Sequence, residues 1–550
     1  MIVPGSANPL LMASLAGYQV PYSLRFRASN SAYVSRTSGA SPTDQKKVTY
    51  SAWMKAAPSL SSSNQVALVS FGSGNSGLVA WNISSYSGRL FIRSDGSNDI
   101  QYTGVFRDPT AWGHLVVAID TTQATASDRV KVYWNGAAMS YLSGTYPSQN
   151  SNSTLNMAST GCRLMSDQSN GTYLDGYLAE THMIDGQALT PSSFGQTDSG
   201  TGVWVPKAYA GTYGTNGFYL KFADASAATA AAIGKDSSGN GNNWTPSGIS
   251  VTSGTTFDQM LDTPTTNFCV LNPLSKSVSG GSVKNANMTW NSGGGGATFY
   301  LVQSTFALSG KCYWECVVPA TLAYHRPGIM RADQSPPSSG ASYYPGGALG
   351  PANAVGYSSN DGDVYVGGAV VVAGATPSAG DIIQFAFDAA TGELWIGRNG
   401  TWLNSGDPAA GTGEVATVSL SYSWVAVMCD ASTQDNEVNF GQRPFSYTPP
   451  TGFKALNTQN IASAAVTTSG SFTGNAAADG PFIWANGNPA TLTINGNAVT
   501  FGTHADKTAG GFKLRTSSAS YNTSGTNNWT ATAGKRFVQS KKPNNAQVNP

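Results

Sequence analysis

Charge is scarce in this chain. Lys, Arg, Asp and Glu make up 11% of its 550 residues, less than half of the roughly 25% usual for a soluble globular domain. The balance is even, 30 basic against 29 acidic residues, for a net charge of +1. No basic run is longer than a pair, such as Lys46-Lys47 or Lys541-Lys542. The broad positive field that nucleic-acid binding needs is therefore missing. No stretch of about 18 apolar residues occurs, so membrane insertion by a helix is not expected. The first twenty residues have no basic start, and Pro4, Gly5 and Pro9 interrupt their apolar part, which does not describe a signal peptide. Cysteine is limited to Cys162, Cys269, Cys312, Cys316 and Cys429. An odd number at irregular spacing is not a disulfide framework. On one strand, at about 3.3 Å per residue, Cys312 and Cys316 would sit about 13 Å apart, beyond disulfide reach. Buried thiols in a protein assembled under reducing conditions are the expectation. The histidines, His114, His182, His325 and His504, are scattered and show no zinc spacing.

Glutamate is scarcer still. Five of the 29 acidic residues are Glu, leaving 24 Asp. Glu favours helix, whereas Asp favours turns and caps. With 63 Gly and 27 Pro, this points to an almost wholly β protein with many tight turns. The 40% hydrophobic content and 13 Trp supply enough apolar surface to bury cores and exclude disorder. The length gives a prior of about three or four domains. From Tyr22 onward, alternating or apolar segments such as SLRFRAS, KVTYSAWMKA, QVALVSFGS, WGHLVVAID and RVKVYWNG follow one another between Gly, Ser and Asn turns. Closely spaced strands of this kind predict sandwiches or barrels. Asn135-Gly136 and Asn495-Gly496 are hairpin signals.

Two resemblances follow from ordered motifs. LRFRASNSAYVSR, YSAWMK, WGHLVVAID, RVKVYWNG and LDGYLAETHMIDGQALTPSSF resemble, in that order, the laminin-G/concanavalin-A-like jelly roll. The form found in bacteriophage tail fibres and related virion proteins is especially similar, and FYLKFADAS with DSSGNGNNWTPSGI continues it. This unit is placed at 21–262. Beyond LDTPTTNFCVLNP, the motifs GKCYWE, GDIIQFAFDAATGELWIGRNG, NFGQRPF and PPTGF resemble the SPRY domain, placed at 263–458. The expected fold is all-β: two consecutive antiparallel sandwiches, then a linker and small C-terminal β module at 459–550. Residues 1–20 are expected to dock on other virion proteins, because Leu10, Leu11, Met12 and Leu15 are costly to leave in water.

A catalytic constellation is not legible. Glycoside hydrolysis needs two carboxylates about 5–10 Å apart, and neither Glu180 nor Glu315 has a carboxylate two residues on. Both are expected to be structural. The stretch NSGGGGATF lacks the Lys-Ser/Thr of a phosphate loop, and His504 with Asp506 sits beside a Gly turn facing solvent. Asp236, Asn240 and Asn242 offer hard oxygen donors, making calcium an option there, although Asx-turns account for the same residues. No other cofactor is expected.

Binding is the expected activity. Sugars present apolar ring faces and hydroxyl edges, so a site needs aromatic platforms beside polar groups. Tyr324, His325, Arg326, Tyr343 and Tyr344 lie in loops where the SPRY resemblance implies a binding surface, normally for protein or peptide. Trp81, Tyr86, Tyr102 and Trp112 form a second set, while Trp314, Trp395 and Trp424 fall on strands and should be core. The resemblance implies a non-enzymatic virion adhesin of tail-fibre or spike type, assembled in the host cytoplasm. Its ligand would be a host surface glycan or protein, and it would be a homo-oligomer, with a trimer the form phage fibres suggest. The rivals are a purely structural head or tail component and a polysaccharide-degrading tailspike.

Overall fold

The computed structural model describes residues 17–56, 65–82, 89–105, 108, 110–168, 171–199, 201–278, 280–294, 298–320, 324–336, 343–351 and 353–461, together with short strands between 469 and 540. Its regular structure there is β-strand with a few single 3₁₀ turns. No helix among the described residues is long and apolar enough to cross a membrane. The two sandwiches form one compact unit ending at Ile461.

The first sandwich packs two eight-stranded antiparallel sheets. One runs, in spatial order, through Ala137–Ala138, Val130–Trp134, Gly113–Asp120, Lys47–Ala56, Gly176–Asp185, Ser23–Phe26 and Gln259–Met260, with Phe218–Leu220 also paired to Gly176–Asp185. The other runs through Tyr141–Ser143, Asp99–Val105, Arg89–Arg93, Gly77–Asn82, Gln65–Phe71, Gly161–Leu164, Tyr33–Thr37 and Thr245–Ser247. Alternation decides the core, because successive side chains leave opposite faces of a strand. Val48, Tyr50, Ala52 and Met54 enter the space between the sheets. Thr49, Ser51, Trp53 and Lys55 take the outer face and are buried as well. The predicted hairpin forms at Asn135 and Gly136, with φ of 48° and 80°, the two positive values a two-residue turn requires. A Cβ on Gly136 would stand 2.6 Å from the Trp204 indole, so glycine is needed for packing as well as for the turn.

The second sandwich has a seven-stranded sheet ordered Leu271–Lys276, Tyr300–Ala307, Trp424–Asp430, Gly328–Arg331, Val355–Tyr357, Val364–Val366 and Ala369–Val372. Facing it is a nine-stranded sheet whose long members are Lys311–Val317, Ile382–Asp388 and Glu393–Arg398. Trp314 and Trp424 lie in the core between them. Trp395 is buried on the outer face of the second sheet, against Tyr313 and Phe453. All five cysteines are buried free thiols, and Cys312 and Cys316 share the same core cluster.

The expected boundary at 262/263 is a buried polar seam. Asp258 accepts from Arg25 Nε and Arg27 Nε at 2.9 Å each. Asp262 accepts from Lys55 Nζ at 2.7 Å and from Trp112 Nε1 at 2.8 Å. Lys55 also donates to Asn267 Oδ1, and Tyr177 Oη donates to the Ala286 carbonyl. Each charge entering the seam meets an opposite one, as burial demands.

The boundary expected at residue 20 shifts. Residues 1–16, with Leu10, Leu11, Met12 and Leu15, lie outside the described residues. Residues 17–20 pack on the first sandwich itself: Val20 is buried with Trp53 and Ala179, and its N–H donates to Thr265 Oγ1. In the C-terminal unit, Ser469–Thr473, Thr526–Ala531, Leu492–Ile494 and Asn497–Ala498 form one sheet, and Phe482–Ala485 pairs with Phe537–Ser540. The strands on either side of Asn495-Gly496 pair antiparallel, in line with the hairpin signal.

Candidate functional site

The loop residues singled out by sequence meet over the outer face of the seven-stranded sheet. Strands expose alternate residues there, so Phe299, Leu301, Met330, Val425, Val427 and Cys429 form an apolar layer outside the main core. Tyr324 and Tyr344 lie on that layer, half-buried. Their rings stand 6.2 Å and 4.8 Å from Phe299. The segment carrying them is pinned by the Arg326 N–H, which donates to the Cys429 carbonyl at 2.8 Å.

Arg326 occupies the middle of the cluster. Its guanidinium carbon lies 4.5 Å from the Tyr344 ring centroid, 5.6 Å from Tyr365 and 5.7 Å from Phe299. Cation–π attraction to three rings holds it. Its Nε and Nη1 are buried without a hydrogen-bond partner. Tyr365 Oη donates to Asp361 Oδ2 at 2.9 Å, and burial with that carboxylate pushes its phenol up to about 12. Burial raises the Asp361 carboxyl, but hydrogen bonds from the Asp363 N–H and Tyr365 Oη and the Arg326 charge outweigh it and leave it below the usual range.

His325 is not at the surface. It is fully buried, with Nδ1 2.8 Å from Ser359 Oγ and Nε2 unpartnered. Burial, helped by the Arg326 charge, pushes its pKa down to about 3, so the ring is neutral at pH 7. The expectation that it touches ligand directly is corrected: the loop turns the ring inward, fully buried against Ser359. Tyr343 is half-buried and makes no ring contact or hydrogen bond among the described residues. Phe299 and Tyr365 were not foreseen. Both sit on segments that read as strand, and only the outward phase of the alternation marked them.

The calcium candidates converge, but as a closed loop. Asp236 accepts from the Tyr219, Ser238 and Asn242 N–H groups and from Ser238 Oγ, at 2.8–2.9 Å. Asn242 Oδ1 accepts from Arg36 Nη2, and the Asn240 side chain donates to the Gly214 and Gly217 carbonyls. The oxygens a cation would need already face N–H and O–H donors, and a guanidinium stands among them. Among the described residues no three His, Cys, Asp or Glu side chains group as metal ligands.

In the first sandwich, Trp81 and Tyr102 are core residues, 4% and 2% exposed, and Trp112 belongs to the seam. Tyr86, His504 and Asp506 lie outside the described residues. The outer face of the sheet that carries Trp53 and Val116 is covered by the chain itself. Phe194, Tyr209 and Tyr213 lie over Val116 and Ile184, while Tyr18, Trp112 and Trp204 flank Trp53. Glu180, at a bulge with φ of 45°, accepts from Tyr18 Oη at 2.8 Å and Tyr219 Oη at 2.6 Å. Burial raises its carboxyl, but His182 and those hydroxyls outweigh this and lower it. His114 Nδ1 accepts from Trp204 Nε1 at 3.0 Å, and its Nε2 lies 2.8 Å from Ser51 Oγ. Glu315 accepts from Tyr313 Oη and the Ser446 and Tyr447 N–H groups. Both glutamates thus pin loops and strands.

Residues 28–193 match the family model of the concanavalin A-like lectin/glucanases superfamily, which covers less than a third of the chain. No curated protein matches. Among solved structures, the SPRY domain of human HERC1 is similar at 15% identity, over 32% of this chain and 99% of that one, with a TM-score of 0.24. The PSpry domain of TRIM65 is similar at 11% identity, over 31% and 89%, with a TM-score of 0.23. Domain 4 of AbnA, a GH43 extracellular arabinanase from Geobacillus stearothermophilus in complex with arabinotriose, is similar at 19% identity, over 28% and 65%, with a TM-score of 0.20. TM-scores of this size carry no argument about ligands. The family match and the sheet order together describe a lectin/glucanase-like β-sandwich followed by a second sandwich.

Proposed function

We propose that the protein is a non-catalytic adhesin of a bacteriophage virion, of tail-fibre or spike type. In this reading the second sandwich binds a host surface glycan through Arg326, Tyr324, Tyr343 and Tyr344. The observation that carries the reading is the aromatic cluster around Arg326, where half-buried rings lie beside unsatisfied polar donors, the combination a sugar site requires. The engagement of Glu180 and Glu315 in holding neighbouring segments supports a role without catalysis. The order of motifs in the first sandwich supports the virion assignment. Assembly in the host cytoplasm as a homo-oligomer, a trimer by analogy with phage fibres, would place several copies of a weak site side by side. Linked copies raise avidity by orders of magnitude without new contacts. The peptide ahead of the first sandwich would then join other virion proteins.

The test is binding of the assembled protein to host cells and to their extracted surface polysaccharide, beside an Arg326→Ala/Tyr344→Ala variant. Saturable binding that the variant loses, with no shortening of the polysaccharide, is expected. Shortening of the polysaccharide would make the protein a depolymerase. Absence of binding by the folded assembly would leave a purely structural virion component.

A further inference from the structure

We infer that Arg326 recognises a carboxylated sugar, whose carboxylate supplies the counter-ion this guanidinium lacks. The inference rests on the adhesin reading above and names the ligand class of its site.

A guanidinium keeps its charge at any working pH and carries five N–H donors. Taking it out of water demands an anion or a full set of acceptors. Arg25, Arg27 and Arg443, buried throughout, obey this rule, whereas Arg89 leaves its Nε unpartnered. Arg25 and Arg27 share Asp258, and Arg443 meets Glu437 and the Thr255 carbonyl. Arg326 departs from it. Nε and Nη1 have no partner, and no ion pair to it forms among the described residues. Asp361 is close enough to feel the charge, but its oxygens accept from the Asp363 N–H and Tyr365 Oη. The neighbouring His325 adds a third unpartnered nitrogen, Nε2.

The three rings fix the guanidinium without using its donors, because cation–π attraction acts through the ring face. The donors are therefore oriented and unspent. A carboxylate matches a guanidinium in both charge and shape, pairing through two parallel hydrogen bonds. The surroundings select a sugar over an acidic peptide. Tyr324 and Tyr344 are half-buried on the same apolar layer as Arg326, giving apolar faces on which a pyranose can lie. Tyr344 also lies against the guanidinium, so the ligand must shift that ring to reach Nε, and ring and charge respond together.

The test uses the full chain with three probes: galacturonic acid oligomers, galactose oligomers of the same length, and a polyglutamate peptide. Calorimetry gives affinities, and the Arg Nε–H resonances report the site in the unmutated protein. The expected result is at least tenfold tighter binding of the galacturonate oligomers than of the galactose oligomers, with movement of the Arg326 Nε–H signal. Arg326→Gln removes the preference, and Arg326→Lys, which keeps the charge without the fork, lowers it. Arg331→Gln, at an arginine paired with Asp333 on the same sheet, retains it. Equal binding of both sugars, or a preference that survives Arg326→Gln, overturns the inference and leaves the adhesin reading standing. A stronger response to polyglutamate than to galacturonate overturns it in favour of a peptide site. An Nε–H signal unmoved by every probe overturns it as well. Failure of host polysaccharide to bind at all would remove the adhesin reading with it.

Discussion

The outer faces of the two sandwiches are built alike and finished differently. Each presents aromatic rings and buried histidine over one sheet, under cover from loops, with His114 and His182 on the first and His325 on the second. On the first, His114 has a partner at both ring nitrogens and Glu180 accepts from two tyrosines. The groups left over there, Trp53 Nε1 and Thr181 Oγ1, are neutral. On the second, the unpartnered nitrogens belong to a charged arginine and to the histidine beside it. A covered face with its charges satisfied is architecture. A covered face that leaves a charge unsatisfied forgoes stability, and loss of stability concentrates at working sites.

This contrast presumes two sandwiches held as one body, and the seam is where it breaks most easily. Asp258→Ala leaves Arg25 and Arg27 buried without their shared anion. Removing one member of a buried pair costs about 3–5 kcal/mol. Denaturant unfolding should show that loss, with protease cleavage appearing between residues 255 and 270. A variant as stable as the parent would mean that the Arg25–Asp258–Arg27 pairing adds nothing to this end of the first sandwich.

Next in size is Glu180→Ala. Tyr18 and Tyr219 lose their acceptor in a buried place, at an expected cost of about 2–3 kcal/mol. Glycan binding should be unchanged, since the residue is committed to the first face. A loss of binding without a loss of stability would reverse the roles assigned to the two faces.

Acid sharpens the comparison, because each face holds one histidine whose pKa burial pushes down to about 3 from 6.5. Below the unfolded value the unfolded chain takes a proton that the folded chain refuses. Stability contributed by each histidine is therefore complete above about pH 6.5 and falls as pH drops toward 3. At pH 5 the loss is about 2 kcal/mol per histidine. Melting temperatures between pH 7 and pH 4 should show this slope. His325→Leu should flatten it at a small cost in stability at pH 7, since only Ser359 loses a partner. His114→Leu should flatten it at a larger cost, since Trp204 and Ser51 both lose one.

Alternation made most of the fold legible. The period-2 pattern of KVTYSAWMKA divides Val48, Tyr50, Ala52 and Met54 from Ser51, Trp53 and Lys55, and the structure makes the same division. A two-residue period says which side chains share a face, not what lies over that face. Burial of both sides of Lys47–Ala56, the packing of residues 17–20 on their own sandwich, and the loss of Trp81 and Tyr102 to the core all follow from coverage by distant segments. The site was legible in part for the same reason. Tyr324, Arg326 and Tyr344 stood out as loop residues, whereas Phe299 and Tyr365 read as ordinary strand. His325 was assigned to the surface because a loop has no period to show which way a side chain turns. The Asp236 loop was legible in residue type only, since Asx-turns and calcium loops draw on the same oxygens.

The smallest expected change in stability comes from Arg326→Leu, and it is the most discriminating. The substitution removes a charge held without a counter-ion and leaves a side chain suited to the Phe299, Leu301 and Val427 layer. Replacing a buried charged group by an apolar one of similar volume is often neutral or stabilising. The expected shift is between none and about 1 kcal/mol of added stability, read from denaturant unfolding. The same variant should lose glycan binding. The sign separates two explanations of the cluster. If Arg326 were a strut, taking it out would loosen Tyr344 and Tyr365, and stability would fall with binding. If it is held ready for a ligand, the two quantities move apart.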